Sequence, residues 1–82
     1  MAEPSPLAAM VRTLARGLVD NPDEVEVKEE RDGGSRVISL YVAEEDLGQV
    51  IGRGGRIARA LRTVLRAAST ARGERATLEI VD

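Results

Sequence analysis

The chain contains no cysteine and no histidine, and each absence excludes a class of chemistry. Without cysteine there is no disulfide, no thiol nucleophile and no thiolate metal ligand. Without histidine, catalysis by an imidazole base and the usual zinc sites are excluded as well. The acidic residues do not supply a nucleophile, a base and an orienting group in one pattern. The sequence therefore predicts a protein that is not an enzyme and that uses neither a metal nor a cofactor.

Aromatic residues and long apolar runs are also scarce. Tyr41 is the single aromatic residue, so base stacking on aromatic rings is mostly excluded as a source of affinity. The N-terminal segment is interrupted by Glu3, Arg12, Arg16 and Asp20, which fits neither a signal peptide nor a membrane span. We therefore expect a cytoplasmic protein that has no membrane partner.

The length of 82 residues, with 43% hydrophobic and 32% charged residues, is typical of one small soluble domain. We expect a short leader over residues 1–5 and a single domain over residues 6–82. A domain of this size buries only about 60–65% of its unfolded surface. Its stability should therefore be modest, or be increased by self-association.

The charges are divided between two parts of the chain. The formal net charge of −2 disfavours binding to nucleic acid, but residues 20–32 hold seven acids and two bases, whereas residues 53–75 hold seven arginines and one acid. Such asymmetry describes the surface field and not the fold. It fits a basic binding surface, and it fits equally well two solvated faces of opposite sign that aid solubility.

The first half of the chain predicts a helix followed by a β-hairpin. Ser5 and Pro6 are typical of a helix N-terminus, and apolar residues recur at spacings of three and four until Asn21-Pro22 ends the helix. Apolar and polar residues then alternate on two strands that are joined by a turn at residues 32–35. The apolar positions are Leu7, Met10, Val11, Leu14 and Leu18 in the helix, and Val25, Val27, Ile38, Leu40 and Val42 in the strands.

The second half predicts two helices and a last strand. The three acids at residues 44–46 suit the positive N-terminal end of a short helix over residues 44–51. A longer helix follows and is closed by Gly73, and Ala76, Leu78 and Ile80 alternate on the final strand. The longer helix has an apolar face of Ile57, Leu61, Val64, Leu65 and Ala68, opposite Arg59, Arg62 and Arg66.

The resulting order is α-β-β-α-α-β. It predicts an α+β fold with a three-stranded sheet and helices packed on one face.

A glycine cluster joins the two helices of the second half. Gly52, Gly54 and Gly55 let the loop adopt positive φ angles and let another backbone approach closely. The loop ends where a helix begins, and the positive end of a helix attracts phosphate. Arg53 and Arg56 add charge at the same place. The cluster therefore predicts contact with a phosphate backbone.

Two common phosphate-binding loops do not fit this cluster. A Walker A loop ends in Gly-Lys-Ser/Thr, and the only lysine is the distant Lys28. The dinucleotide fingerprint Gly-x-Gly-x-x-Gly would need glycine at Ile57 and a strand before the loop, where a helix is predicted.

The run Gly52-Arg53-Gly54-Gly55 is a Gly-x-x-Gly loop between two helices, the form used by KH domains to hold about four backbone nucleotides. Here the chain resembles the KH family, and its order α-β-β-α-α-β is that of the type II, bacterial arrangement. The run Val50-Ile51-Gly52-x-x-Gly55-Arg56-Ile57-Ala58, followed by an arginine-rich helix, is similar to the stand-alone KhpA (YlqC-like) family.

That resemblance implies binding of single-stranded RNA, with a role in post-transcriptional regulation or as an RNA chaperone. It also implies two protein partners, a second copy of the chain and an RNA-binding protein of the KhpB (Jag-like) type. The bases would lie in a groove bordered by the short helix, the start of the longer helix and the last strand. The implied RNA-binding residues are Gly52, Arg53, Gly54, Gly55, Arg56 and Arg59.

Two alternatives stay open at this point. A KH-like fold can serve as a protein-interaction or dimerisation module, since a fold does not determine a function. Single-stranded DNA is the other, because only contacts to the ribose 2′-OH distinguish RNA from DNA. For Arg62 and Arg66 the sequence favours a solvated helix face over contact with RNA.

Overall fold

A computed structural model describes residues 5–82. This part of the chain contains three single turns of 3-10 helix, at Pro22–Glu24, Glu44–Asp46 and Arg53–Gly55. The main elements are α1 (Pro6–Leu18), β1 (Glu26–Asp32), β2 (Ser35–Tyr41), α2 (Leu47–Ile51), α3 (Arg56–Ala71) and β3 (Ala76–Ile80). This order confirms the predicted α-β-β-α-α-β arrangement. Of the predicted leader, residues 1–5, all but Ser5 lies outside the described residues.

Both ends of α1 agree with the prediction. The Ser5 hydroxyl accepts a hydrogen bond from the Ala8 N–H at 3.1 Å, and Pro6 is the first helical residue. The helix ends at Leu18, before Asn21-Pro22, and the backbone is extended at Val19. Beyond the helix, the N–H of Asn21 donates to the carboxylate of Asp46 at 3.0 Å.

The sheet has the strand order β1-β2-β3, with one antiparallel and one parallel pair. The predicted hairpin turn is confirmed, since Asp32 lies opposite Ser35 across the two glycines between them. β3 pairs in parallel with β2, with Ile38 opposite Leu78. A parallel pair needs a long crossover connection, which α2 and α3 supply. The acidic strand β1 and the strand β3 therefore form opposite edges of the sheet.

The core lies between one face of the sheet and the helices, as predicted. Ile38 and Leu40 on the central strand are fully buried, and Leu65 of α3 and Val11 of α1 pack against the same cluster. The predicted apolar face of α3 is wrong at Val64, which is 44% exposed. Periodicity placed it at the margin of the face, where it borders a groove beside α1 instead of the core. Among residues 5–82, no helix is long and apolar enough to cross a membrane.

Candidate nucleic-acid interface

The loop between α2 and α3 contains three glycines with positive φ, and their reasons differ. Gly52 has φ 78° and ψ 169°, a combination that is essentially restricted to glycine. A Cβ on Gly52 would also lie 2.5 Å from Cγ1 and 2.8 Å from the backbone nitrogen of Ile57. Gly54 (φ 64°) and Gly55 (φ 77°) have nothing within 4 Å of an added Cβ. Glycine is therefore required at Gly52 by both conformation and space, whereas at the other two positions it is favoured by conformation alone.

Backbone hydrogen bonds hold this loop in one shape. The N–H of Gly52 donates to the carbonyl of Gly48 at 2.8 Å and so closes α2. The N–H of Gly55 donates to the carbonyl of Gly52 at 3.1 Å, and the N–H of Arg56 donates to the carbonyl of Arg53. The loop thus delivers the chain directly into α3, whose 16 residues direct the positive end of their dipole at it.

The predicted arginines are exposed around the loop. Arg53 lies in its turn, and Arg56 and Arg59 lie in the first turn of α3. The guanidinium of Arg59 folds back and donates to the carbonyl of Gly54 at 3.4 Å, which places its charge beside the glycines. Arg56 instead borders the apolar groove between α1 and α3. The structure therefore brings Arg53 and Arg59 together at the loop, with Arg56 on its other flank.

A second groove runs between α3 and the free edge of β3. Arg62 crosses it, since its Nε donates to the carbonyl of Leu78 at 3.4 Å. Arg66 and Thr77 also border it. The solvated helix face that the sequence favours for Arg62 and Arg66 is found, since both are exposed. The structure adds that β3 lies beside this flank of α3. The spacing of residues 59, 62 and 66 shows that they form one stripe of α3, but it does not show that β3 borders this stripe.

Tyr41 lies away from this groove. Alternation places it on the face of β2 opposite Ile38 and Leu40, and the ammonium of Lys28 lies 5.2 Å from its ring centroid. The residues that line the groove between α3 and β3 are aliphatic, threonine or arginine. The groove can therefore hold planar groups on aliphatic walls and phosphates on arginines.

The acids before α2 have separate roles. Glu44 and Glu45 are exposed, as expected for charges that favour a helix start, but Asp46 is only 1% exposed. Its Oδ2 accepts hydrogen bonds from both the backbone N–H and the side-chain amide of Asn21, each at 3.0 Å. The predicted place of Asp46 at the start of the short helix is confirmed, whereas its burial against Asn21 was not predicted. In the described part of the chain, no three acidic side chains converge as a metal site would require.

Comparison with known proteins identifies the family of this chain. A family model described as "KhpA/KhpB, KH domain" matches residues 8–80. The chain belongs to this family. Membership in a KH-domain family confirms the predicted type II KH fold. This family is not catalytic, which confirms the expectation that the chain is not an enzyme.

Similar proteins cover nearly the whole chain. One, named RNA-binding protein KhpA, from Caldanaerobacter subterraneus subsp. tengcongensis, is 48% identical over 75 residues, which are 92% of this chain and 100% of the relative. Another of the same name, from Streptomyces coelicolor, is 51% identical over 69 residues, 84% of this chain and 86% of the relative.

Solved structures confirm the fold. A crystal structure of Era from Aquifex aeolicus superposes with a TM-score of 0.64 at 22% identity, over 98% of this chain but only 32% of the Era chain. An Era structure in complex with a segment of 16S ribosomal RNA gives the same TM-score at 20% identity. At these identities the likeness concerns the fold alone.

Proposed function

We propose that this chain binds single-stranded RNA at the loop formed by Gly52, Arg53, Gly54 and Gly55. The observation that carries the proposal is the backbone at Gly52, which only glycine can adopt and which brings the loop to the positive end of α3. A phosphate backbone can approach this loop because an added Cβ at Gly54 or Gly55 would meet nothing within 4 Å. The similarity to relatives named RNA-binding protein KhpA supports RNA as the ligand.

In this proposal the arginines at the loop contact the phosphates, and the groove between α3 and β3 contacts the bases. Arg53 and Arg59 neutralise phosphates at the loop, and Arg56 adds charge on its flank. Bases continue into the groove between α3 and β3, where Arg62 and Arg66 border aliphatic walls. A site of about four nucleotides without aromatic stacking should bind with a dissociation constant of about 1 µM or weaker.

The cellular role in this proposal is post-transcriptional regulation or RNA chaperoning in the cytoplasm. A partner of the KhpB type is part of it, since one family model covers both KhpA and KhpB. Weak single sites gain affinity when they are linked, because the second contact becomes intramolecular. Pairing would therefore compensate for the small footprint of one domain.

A matched pair of substitutions at Gly54 tests the proposed site. Asparagine and aspartate both tolerate the left-handed backbone found there, and the space around Gly54 is open. Gly54→Asn should change RNA affinity by no more than about threefold, because it adds no charge. Gly54→Asp should weaken binding about tenfold or more, because a carboxylate would face the phosphates. Fluorescence anisotropy of a short labelled single-stranded RNA measures both.

Circular dichroism of the two variants ensures that both are folded, and unlabelled DNA of the same sequence serves as competitor. Equal affinities for Gly54→Asn and Gly54→Asp would contradict the proposed site. No binding by the wild type would favour the protein-interaction module instead. Equal competition by DNA would extend the ligand to single strands in general.

The apolar groove between α1 and α3 supports self-association as part of the proposed function. Leu14, Leu18 and Val64 are 38%, 36% and 44% exposed and line it together with Ile57 and Ala60. Contiguous exposed apolar surface of this kind marks an interaction site. The proposed occupant is the same groove of a second copy, which would cover α1 and α3 while leaving the groove beside β3 open to RNA.

Val64→Glu tests this interface. A carboxylate at the centre of the apolar contact should weaken the dimer at least about tenfold, because it would be buried without a partner. Thr70→Glu adds the same charge to an exposed position of the same helix and should leave association unchanged. Sedimentation equilibrium gives the masses. A wild type that remains monomeric at about 100 µM, in the range of weak association, would contradict the interface.

A further inference from the structure

We infer that Asp46 is a positioning residue that sets the direction of α2 and, through it, the place of the glycine loop. The inference rests on the proposed function only for its effect on RNA. α2 has five residues, and a helix this short is not stable through its own hydrogen bonds. Its direction must therefore come from contacts made elsewhere in the molecule.

Two such contacts lie four residues apart, at Asp46 and Val50. Val50 is fully buried in the hydrophobic core, which fixes the end of α2 nearest the loop. Asp46, immediately before α2, fixes the other end through its two hydrogen bonds from Asn21. Residues four apart lie on the same side of a helix. Two fixed points on one side define the direction of so short an element.

The contact at Asp46 is reinforced by a further hydrogen bond from α2 to the segment that connects α1 with β1. The side chain of Gln49 donates to the carboxylate of Asp20 at 3.3 Å, next to the contact between Asn21 and Asp46. The connection between α1 and β1 therefore holds α2 at two positions. Gly48, the second residue of α2, presents the carbonyl that accepts the hydrogen bond from the Gly52 N–H. Contacts thus run without interruption from Asn21 to the loop.

Burial of a carboxylate is otherwise unfavourable at this place. Asp46 is 1% exposed, and its Oδ1 has no partner among residues 5–82. A buried polar atom without a hydrogen bond is destabilising. The two hydrogen bonds to Oδ2 offset part of this cost, because one oxygen accepts from a backbone N–H and a side-chain amide at once. Alanine would lose both bonds, whereas asparagine keeps an oxygen at this position.

The experiment compares Asp46→Ala, Asp46→Asn and Ile38→Val with the wild type. Ile38→Val removes one methylene from the buried central strand and serves as a control for global stability. Two quantities are measured: hydrogen exchange of the Gly52 amide by NMR, and RNA affinity by anisotropy. The free energy of unfolding from urea titration is used to compare variants at equal fraction folded.

Asp46→Ala should speed exchange of the Gly52 amide about tenfold or more relative to core amides, because the end of α2 opens locally. Asp46→Asn should restore most of the protection, and Ile38→Val should not change the ratio between Gly52 and core amides. RNA affinity should be lowest for Asp46→Ala, higher for Asp46→Asn and close to that of the wild type for Ile38→Val. If Asp46→Ala does not fold, Asn21→Ala, which removes the side-chain donor to Asp46, takes its place, and a Gly52 exchange ratio in Asn21→Ala equal to that of Ile38→Val overturns the inference.

The two proposals fail differently. A Gly52 amide that is unaffected by Asp46→Ala would overturn the positioning role even if RNA binds. Loss of Gly52 protection in Asp46→Ala, together with a wild type that binds no RNA, would support the positioning role and reject the proposed function.

Discussion

Gly52→Ala should cost more stability than any other substitution in the loop. The backbone at Gly52 lies in a region that costs a residue with a Cβ about 1–3 kcal/mol. The added methyl group would overlap the backbone nitrogen of Ile57 at 2.8 Å, and such overpacking costs about 1–3 kcal/mol more. Together these are a large part of the 5–15 kcal/mol that a domain usually has. Urea unfolding followed by circular dichroism measures the loss.

Gly54→Ala is the matched control, since it makes the same chemical change two residues further on. Gly54 also has a positive φ, but an added Cβ would meet nothing within 4 Å. Its loss should be only about 1–2 kcal/mol, the cost of the left-handed backbone alone. At temperatures where both variants are folded, Gly52→Ala should also bind RNA less tightly, because its loop must shift away from Ile57. Equal losses of stability would contradict the special place of Gly52.

The double substitution Arg53→Ala with Arg59→Ala should produce the largest loss of RNA affinity. Both side chains are exposed at the loop, and Arg59 is already held there by the carbonyl of Gly54. Removing a hydrogen bond to a charged group costs about 1.5–3 kcal/mol, so two should weaken binding by about 100-fold or more at low salt. Titrations by anisotropy at several salt concentrations measure both the affinity and its salt dependence.

The salt dependence distinguishes lost phosphate contacts from general damage. Each contact with a single strand contributes about −0.7 to the slope of log K against log salt. The slope of the double variant should therefore be shallower by about 1.4. Arg12→Ala with Arg31→Ala removes the same charge from exposed positions on α1 and β1 and should leave the slope nearly unchanged. The same change of slope in both double variants would reject a local phosphate site.

The elements that were predicted from the sequence are those with local causes. The turn before Ser35 follows from two adjacent glycines, and the start of α1 follows from Ser5-Pro6. The position of the glycine loop follows in the same way from the change between two helical patterns. Such features depend on neighbouring residues, whose spacing the sequence shows directly.

The features that were missed depend on residues far apart in the chain. Burial of Asp46 requires Asn21, 25 residues away. The contact of Arg62 with Leu78 requires β3 to lie beside α3. Exposure of Val64 depends on how far α1 reaches across α3, which helical periodicity does not encode. In each case the local sequence indicates the position of the residue in or beside a helix, but it does not indicate which distant residues the fold packs against that position.

The sheet order has a consequence for how a ligand would reach this molecule. β1 carries acids at one edge, while α3 and its arginines lie beside β3 at the other. The domain is therefore an electric dipole despite its small net charge of −2. A polyanion is repelled from the edge at β1 and attracted towards α3, so that the field orients the approaching ligand towards the arginines before contact. Steering of this kind lets a weak, small site be found quickly, and it fades as added salt shortens the range of the field.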